Sequence, residues 1–337
     1  MSTISTLGRA SRFLEVEGNK LVHYSAPYLE FLRACLPGAS IEVLEHRTDG
    51  ELDGILPLAV LRHAEYGTVV NSLPFFGSHG GPFGAVSSPG IRPALLRDLI
   101  DFVERLDAAS STIIENPFHP LNDGEIAASH HTVTDDRIGQ FTALPAGGDV
   151  EAVLFDTFHV KTRNAVRKGL KLSLAVERRE DEASWRWMQG VHAKSITSMG
   201  GLPKSMEVFN TLRRSFSSDA SLHVGFVAGQ PVCGLVSIRY RNMLEYFTPV
   251  VEEEWKESQA LSALIFRRMT EASREGCTVW NWGGTWRSQE GVYRFKSRWG
   301  AFDRPYRYLN WVRKPEIRSV PVLTLQHAFP HFYLYKY

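Results

Sequence analysis

The chain has 337 residues, 43% of them hydrophobic and 22% charged, with a formal net charge of +1. This is the composition of a soluble globular protein with an ample core, and it excludes a global attraction to nucleic acid or to an anionic membrane. The three cysteines, Cys35, Cys233 and Cys277, are far apart in apolar runs, which excludes a disulfide framework or a metal knuckle and fits a reducing compartment.

The length favours two lobes over one. The start, Met1-Ser-Thr-Ile-Ser-Thr-Leu7, has no basic segment followed by an apolar core, and no stretch approaches the ~20 apolar residues of a membrane span, so a cytoplasmic protein is expected. In chain order, residues 25–36 read as an amphipathic helix with Ser25 as its cap, Pro27 in the first turn and a stop at Pro37-Gly38. Residues 41–46 and 54–63 follow as two strands of a hairpin. The stretch Ser72-Leu-Pro-Phe-Phe-Gly-Ser-His-Gly-Gly81 is rich in glycine, but Gly77 and Gly80 do not have the spacing of a dinucleotide fingerprint and no helix opens behind them. A surface loop and a binding wall both remain open for it. Residues 92–109 form a long amphipathic helix, 112–115 a strand and 138–144 another, and Pro145-Ala-Gly-Gly148 is the expected joint between lobes 1–148 and 149–337.

The second half repeats this order of elements. Two helices, 182–198 and 204–217, lead into three strands, 222–228, 232–240 and 243–250, joined by the short turns Gly229-Gln230 and Arg241-Asn242. Residues 258–274 are a helix, and Thr278-Val-Trp-Asn-Trp-Gly-Gly-Thr285 reads as a buried strand ending on a glycine floor, Gly283-Gly284. A helix over 291–299 would set Tyr293, Arg294, Phe295 and Lys296 as a cationic lip above that floor, suited to an anionic or carbonyl-bearing substrate. Residues 304–312 make a last strand, and the apolar tail after 320 is expected to dock.

Helix, helix, three-strand meander, helix, strand resembles the GNAT acyltransferase fold. Lys161-Thr-Arg-Asn-Ala-Val-Arg-Lys-Gly169, His192, Gly200-Gly201, Gly283-Gly284 and Tyr293-Arg-Phe-Lys296 with Trp299-Gly300 resemble its Fem-like branch, the peptidoglycan-bridge aminoacyltransferases, and 72–81 resembles the glycine-rich stretch of that branch's first lobe. The resemblance implies an α+β protein of two tandem GNAT-like lobes, each a mixed, largely antiparallel sheet flanked by helices. It implies transfer of an acyl or aminoacyl group to an amine of a cell-envelope glycan precursor, for peptidoglycan or another polysaccharide, or of a similar metabolite. The co-substrate would be acyl-CoA or an aminoacyl-tRNA, with no tightly bound cofactor and no metal. The long coiled-coil arm of some Fem enzymes has no counterpart here. The link 251–258 carries four acids, one Lys and no glycine where CoA-using enzymes cradle a pyrophosphate, which disfavours CoA.

Several residues can carry this chemistry. Lys296 with Phe295 is the catalytic candidate, an ammonium able to offset charge on an attacked carbonyl, against an exposed Lys beside a buried Phe. The proton of an attacking ammonium needs a base. Glu245, alternating with Leu244 and Tyr246 in a central strand, and His192 are the candidates, although His192 lies on an apolar helical face as a core residue would. Lys161, Asn164 and Lys168 share one face of a helix over 160–170, and Arg163 and Arg167 another; no acid lies among them, so they form either a phosphate grip or a solvated basic surface. Substrate contacts are expected from these five and from Gly80, Gly81, Tyr246, Gly283, Gly284, Thr285, Tyr293 and Arg294. The competing reading is a non-catalytic GNAT-fold module binding RNA or a phosphorylated ligand through residues 161–171.

Overall fold

The computed structural model describes residues 13–14, 18–75, 79–85, 88 and 90–335. Residues 1–7, read above for a leader, and Gly77 lie outside them. The chain divides into two compact units, residues 1–138 with 304–337, and residues 139–303.

Ser25 caps helix α1 (Ala26–Cys35) by accepting a hydrogen bond from the Tyr28 amide. Strands β1 (Ser40–Thr48), β2 (Glu51–His63) and β3 (Gly67–Asn71) form an antiparallel meander, with the short β4 (Phe83–Gly84) paired to β2. Helix α2 (Ile91–Arg105) crosses back, burying Leu95, Leu96, Leu99 and Val103 on the sheet, and β5 (Ser110–Ile114) then lies parallel to β3 through three residue pairs ending at Asn71↔Thr112. Helix α3 (Asp123–Ala128) follows behind a reciprocal Asn122–Glu125 cap. Strand β6 (Val133–Ala143) carries the chain from unit 1 into unit 2.

Unit 2 opens with α4 (Val150–Thr157), α5 (Val160–Leu170) and the edge strand β7 (Ala175–Arg179). Helices α6 (Glu182–Ser198) and α7 (Met206–Phe216) start at Asp181 and Ser205, whose side chains accept from the amides of Ser184 and Val208. The antiparallel strands β8 (Ala220–Val227), β9 (Gln230–Tyr240) and β10 (Met243–Val251) repeat the meander; α8 (Ala260–Arg274) crosses back; β11 (Val279–Trp286) lies parallel to β10. The core of this unit packs Leu264, Ile265 and Met269 of α8 against Leu154, Val166, Leu235, Trp280 and Trp299. After α9 (Glu290–Ser297), β12 (Ala301–Val312) returns to unit 1, and α10 (Val322–Ala328) precedes the tail.

The units depart from the expected division at 148–149. The chain changes unit inside β6, between Ile138 and Gly139, and residues 304–337 group with unit 1 because Tyr308–Val312 pair antiparallel with β5. The tail docks there as well: Asn71 exchanges two hydrogen bonds with the Tyr333 backbone (2.6 and 2.8 Å), and Thr112 Oγ1 donates to the Tyr333 carbonyl (2.9 Å). Strands β3 and β7 were missed in the sequence, being short and carrying polar residues. The glycine pair is not a strand end, since β11 runs on through Gly283 and Gly284 to Trp286.

Close approach of α5 to the first turn of α8 rests on Gly169. A Cβ there would lie 2.3 Å from the Gln259 carbonyl oxygen and 2.8 Å from the Ala263 Cβ. Gly169→Ala is therefore expected to lower unfolding free energy by about 1–3 kcal/mol, overpacking outweighing any gain in helix propensity; a denaturant midpoint at or above that of the wild type would refute the close contact.

Candidate active site

Strands β10 and β11 pair only over Met243↔Val279, Leu244↔Trp280 and Glu245↔Asn281, although β10 continues over 246–251 and β11 over 282–286. The two strands part at that point. A bulge at Phe247, where the β9 register shifts between Tyr246 and Thr248, adds to the divergence by bending β10. Backbone groups and side chains at the fork are thus released from the sheet, and aromatic rings fill its walls: Tyr246 lies 4.9 Å from Trp282, and Phe295 stands edge-on to Trp282 at 5.9 Å.

At the fork Asn281 links two groups. Its Nδ2 donates to Glu245 Oε2 (2.6 Å) and its Oδ1 accepts from the Gly283 amide (2.8 Å). Gly283 has φ +73°, a left-handed conformation natural for glycine, and nothing lies within 4 Å of where a Cβ would project, so the outer face of this elbow is open. Beneath it Lys296 Nζ donates to Thr285 Oγ1 (2.8 Å), the Gly284 carbonyl (3.1 Å) and, more weakly, the Gly283 carbonyl (3.4 Å). These use the three donors of the ammonium. Lys296 is therefore a buried pin of the elbow, where the sequence predicted an exposed lip; the α9 helical turn carries it inward while Phe295, 39% exposed, faces out.

The network continues inward. Thr285 Oγ1 donates to Gln140 Oε1 (3.1 Å), and Gln140 Nε2 donates to Ser297 Oγ (3.0 Å). Trp282 Nε1 donates to Thr142 Oγ1 (2.9 Å), which fixes the indole on β6. Burial pushes the Glu245 carboxyl up to about 8 against the bond from Asn281 and the charge of Lys296, and burial pulls the Lys296 ammonium down to about 8 against the charge of Glu245. Glu245 keeps a partial opening to the surface, while dense surroundings strip its carboxylate of most of its water.

The other predicted residues separate. Tyr293 donates to Asp303 (2.7 Å) on the outer side of α9, and Arg294 is exposed and pairs with Glu290 at 3.7 Å. His192 is a core residue: Nε2 accepts from the Lys204 amide (3.1 Å), the ring stands edge-on to Phe209, and burial followed by the Lys204 charge lowers its pKa to about 4. On α5, Lys161, Asn164, Arg167 and Lys168 are exposed and Arg163 half-buried, while Thr162, Val166 and Gly169 face the core. Gly80 and Gly81 belong to unit 1. Gly80 donates to the Ile114 carbonyl (3.1 Å), its carbonyl accepts from the Tyr24 hydroxyl, and a Cβ on it would lie 2.5 Å from the Ser72 oxygen, so close packing explains this glycine.

Sequence reasoning missed Asn281, Gln140 and Lys204. Asn281 faces the fork inside an aromatic strand, and a polar residue amid Trp280 and Trp282 is the signal that could have found it. Gln140 had no local signal. Lys204 is buried, its ammonium 5.1 Å from the centre of the Phe247 ring at the bulge, and burial lowers its pKa to about 8.

Residues 158–297 match the family model described as the acetyltransferase (GNAT) domain. This stretch is similar to a GNAT domain. Over its whole length the fold is similar to the crystal structure of FemX, with a TM-score of 0.72, 14% identity, and 95% of this chain and 98% of that one covered. It is also similar to the C-terminal domain of a putative lysylphosphatidylglycerol synthetase from Agrobacterium fabrum (TM-score 0.57, 12% identity, 96% and 97% covered). A third likeness is a tandem GNAT protein from the clavulanic acid biosynthesis pathway (TM-score 0.52, 13% identity, 91% and 94% covered). These likenesses establish the two-lobed GNAT fold, with the splayed strands β10 and β11 inside the matched domain. By sequence, no curated protein matches the chain. Among the described residues no helix is long and apolar enough to cross a membrane.

The raised carboxyl carries a pH signature. Below pH 4.5, the ordinary value, Glu245 is protonated folded or unfolded; between 4.5 and about 8 the unfolded chain ionises first and stability is lost. Glu245→Gln removes this loss. Its melting temperature relative to the wild type should rise from pH 5 to pH 8; a difference that stays flat over that range would contradict a raised carboxyl.

Proposed function

We propose that unit 2 is an N-acyltransferase that moves an acyl or aminoacyl group from an activated ester to an amine. The observation that carries this reading is the parting of β10 and β11 with Glu245 at the fork and an open glycine elbow beside it. In the reaction the amine nitrogen bonds to the acyl carbon, the ester bond to the donor's sulfur or oxygen breaks, and the proton lost by the amine ends on the leaving group. Before that, Glu245, held near the functional range by burial, takes the extra proton of the incoming ammonium and gives it up to water, which leaves a free amine to attack. Lys296 is a positioning residue: it fixes the elbow and places positive charge behind the site where the carbonyl oxygen gathers negative charge. Tyr246, Trp282 and Phe295 hold the apolar parts of the reactants.

The donor this site fits best is an aminoacyl ester on tRNA. The link before α8 is a short 3-10 helix, Glu253–Ser258, without glycine; Ser258 Oγ accepts from the Ala260 amide, and α5 packs against the first turn of α8. Acids and occupied space oppose a pyrophosphate there. The exposed Lys161 and Lys168 of α5 would meet a phosphate backbone. An amine-bearing cell-envelope precursor is the proposed acceptor, a reading in keeping with the FemX likeness.

The decisive test offers the purified protein charged tRNA or acetyl-CoA with a mixture of amine acceptors and weighs the products by mass spectrometry. An aminoacylated amine from charged tRNA is expected, and absence of any N-acylated product with either donor overturns the reading. Lys296→Met should lower kcat roughly 100-fold with the far-ultraviolet circular dichroism unchanged. Glu245→Gln should lower kcat and abolish its rise with pH. Lys161→Gln with Lys168→Gln should raise KM for charged tRNA and flatten its salt dependence with kcat preserved; a salt slope equal to that of the wild type would remove α5 from the donor site.

A further inference from the structure

A second cavity, of about 600 Å³, lies at the other side of unit 2. Four guanidinium groups line it: Arg178 and Arg179 from the end of β7, and Arg213 and Arg214 from the last turn of α7. Trp185 of α6 and Ser217, just past α7, complete the wall on which the argument rests. The strand order β11-β10-β9-β8-β7 separates this edge from the β10–β11 fork, so the proposed acyl transfer makes no use of it.

Three features distinguish the cavity from a solvated charged surface. The first is composition, since its cations are all arginine, whose planar forks match a phosphoryl group two oxygens at a time. The second is preorganisation. Arg213 Nη2 donates to the Glu180 carbonyl (2.8 Å) and its Cζ lies 5.1 Å over the Trp185 ring, while Arg178 Nη2 donates to the Ser218 carbonyl (3.3 Å). Both side chains are held in place before any ligand arrives, which reduces the ordering cost of binding. The third is strain: Ser217 has φ 48° and ψ −123°, a left-handed conformation costly for a residue with a Cβ, at the wall of the cavity.

The acids now facing these arginines are weak competitors. Arg213 Nη1 is 3.3 Å from Glu182, and Arg178 is 3.5 Å from Glu180, with the two carboxylates 48% and 80% exposed. Ion pairs so open to water contribute little and exchange readily. Arg179 and Arg214 are tied more closely, to Glu177 and Asp181 (2.8 Å each) and to Glu207 (2.7 Å), and supply field more than direct contact. A concave site of this volume suits a small molecule better than a nucleic-acid backbone.

We propose that this cavity binds a phosphoryl group, with Arg178 and Arg213 as its clamp and Glu182 as the internal anion that it displaces. The group comes from inorganic phosphate or from a small organic phosphate, and titration of the full-length protein separates the two. Inorganic phosphate and glucose 6-phosphate are titrated by calorimetry, while the indole N–H resonances of ¹⁵N-tryptophan-labelled protein are followed and that of Trp185 is assigned by Trp185→Phe. Saturable binding that moves the Trp185 resonance is expected, the tighter ligand naming the source. Arg178→Gln and Arg213→Gln should each weaken binding at least ~10-fold. Glu182→Gln should tighten it several-fold, an effect that a merely structural network of ion pairs would not produce. Lys161→Gln with Lys168→Gln should leave it unchanged. No saturation at millimolar ligand, binding indifferent to the two arginine variants, or weaker binding by Glu182→Gln would each overturn the assignment. Because binding is read independently of turnover, failure here leaves the acyltransferase reading standing, and the converse holds.

Discussion

A buried ammonium beneath a glycine elbow is the interaction on which the candidate site depends. Lys296 gives its hydrogen bonds to Thr285 and to the carbonyls of Gly284 and Gly283, and without that cation two carbonyl oxygens and a hydroxyl would face one another across a space poor in water. The arrangement also works in reverse, because the same acceptors make a buried charge tolerable. Everything around the fork is built on this balance: Asn281 holds the elbow amide and the Glu245 carboxylate together, and Gln140 joins Thr285 to α9. The open face of Gly283 is then a place where the network meets solvent without a side chain in the way.

The two units show the same plan put to different ends. In each, a three-strand meander is followed by a crossover helix and a strand that pairs in parallel over three residues. Pairing ends at Asn71↔Thr112 in unit 1 and at Glu245↔Asn281 in unit 2. In unit 1 the polar groups at that point are taken by the chain's own tail, through Tyr333. In unit 2 the strands continue apart and leave an aromatic-walled opening. The repeat thus ends its parallel pairing after three residues in both units, and in the second the two strands run on apart.

Much of this was legible in the residues. The cap at Ser25, the meander turns Gly229-Gln230 and Arg241-Asn242, and the apolar face of α8 placed most elements within a few residues, because each is a local signal with a period or an offset. The resemblance brought Phe295, Lys296 and the glycine pair together, and they do lie in one place. It also marked His192 and Gly80-Gly81. His192 instead satisfies the Lys204 amide in the core, and Gly80 is explained by close backbone packing. A histidine on an apolar helix face and a glycine in a tight loop look the same in sequence whether they serve packing or chemistry.

By itself the sequence determined the order of elements, the internal repeat and the residue types at the elbow, since periodicity, capping and glycine content act over a few residues at a time. Tertiary structure alone decided that Lys296 points inward, that Glu245 rests on Asn281 through a parallel pairing 36 residues apart, and that Gln140 reaches Thr285 across 145 residues. It also decided that residues 304–337 return to unit 1, and that four arginines from β7 and α7 share one cavity. Burial and the direction of a hydrogen bond are properties of what the fold brings alongside a residue, and nothing in that residue's own neighbourhood along the chain encodes them.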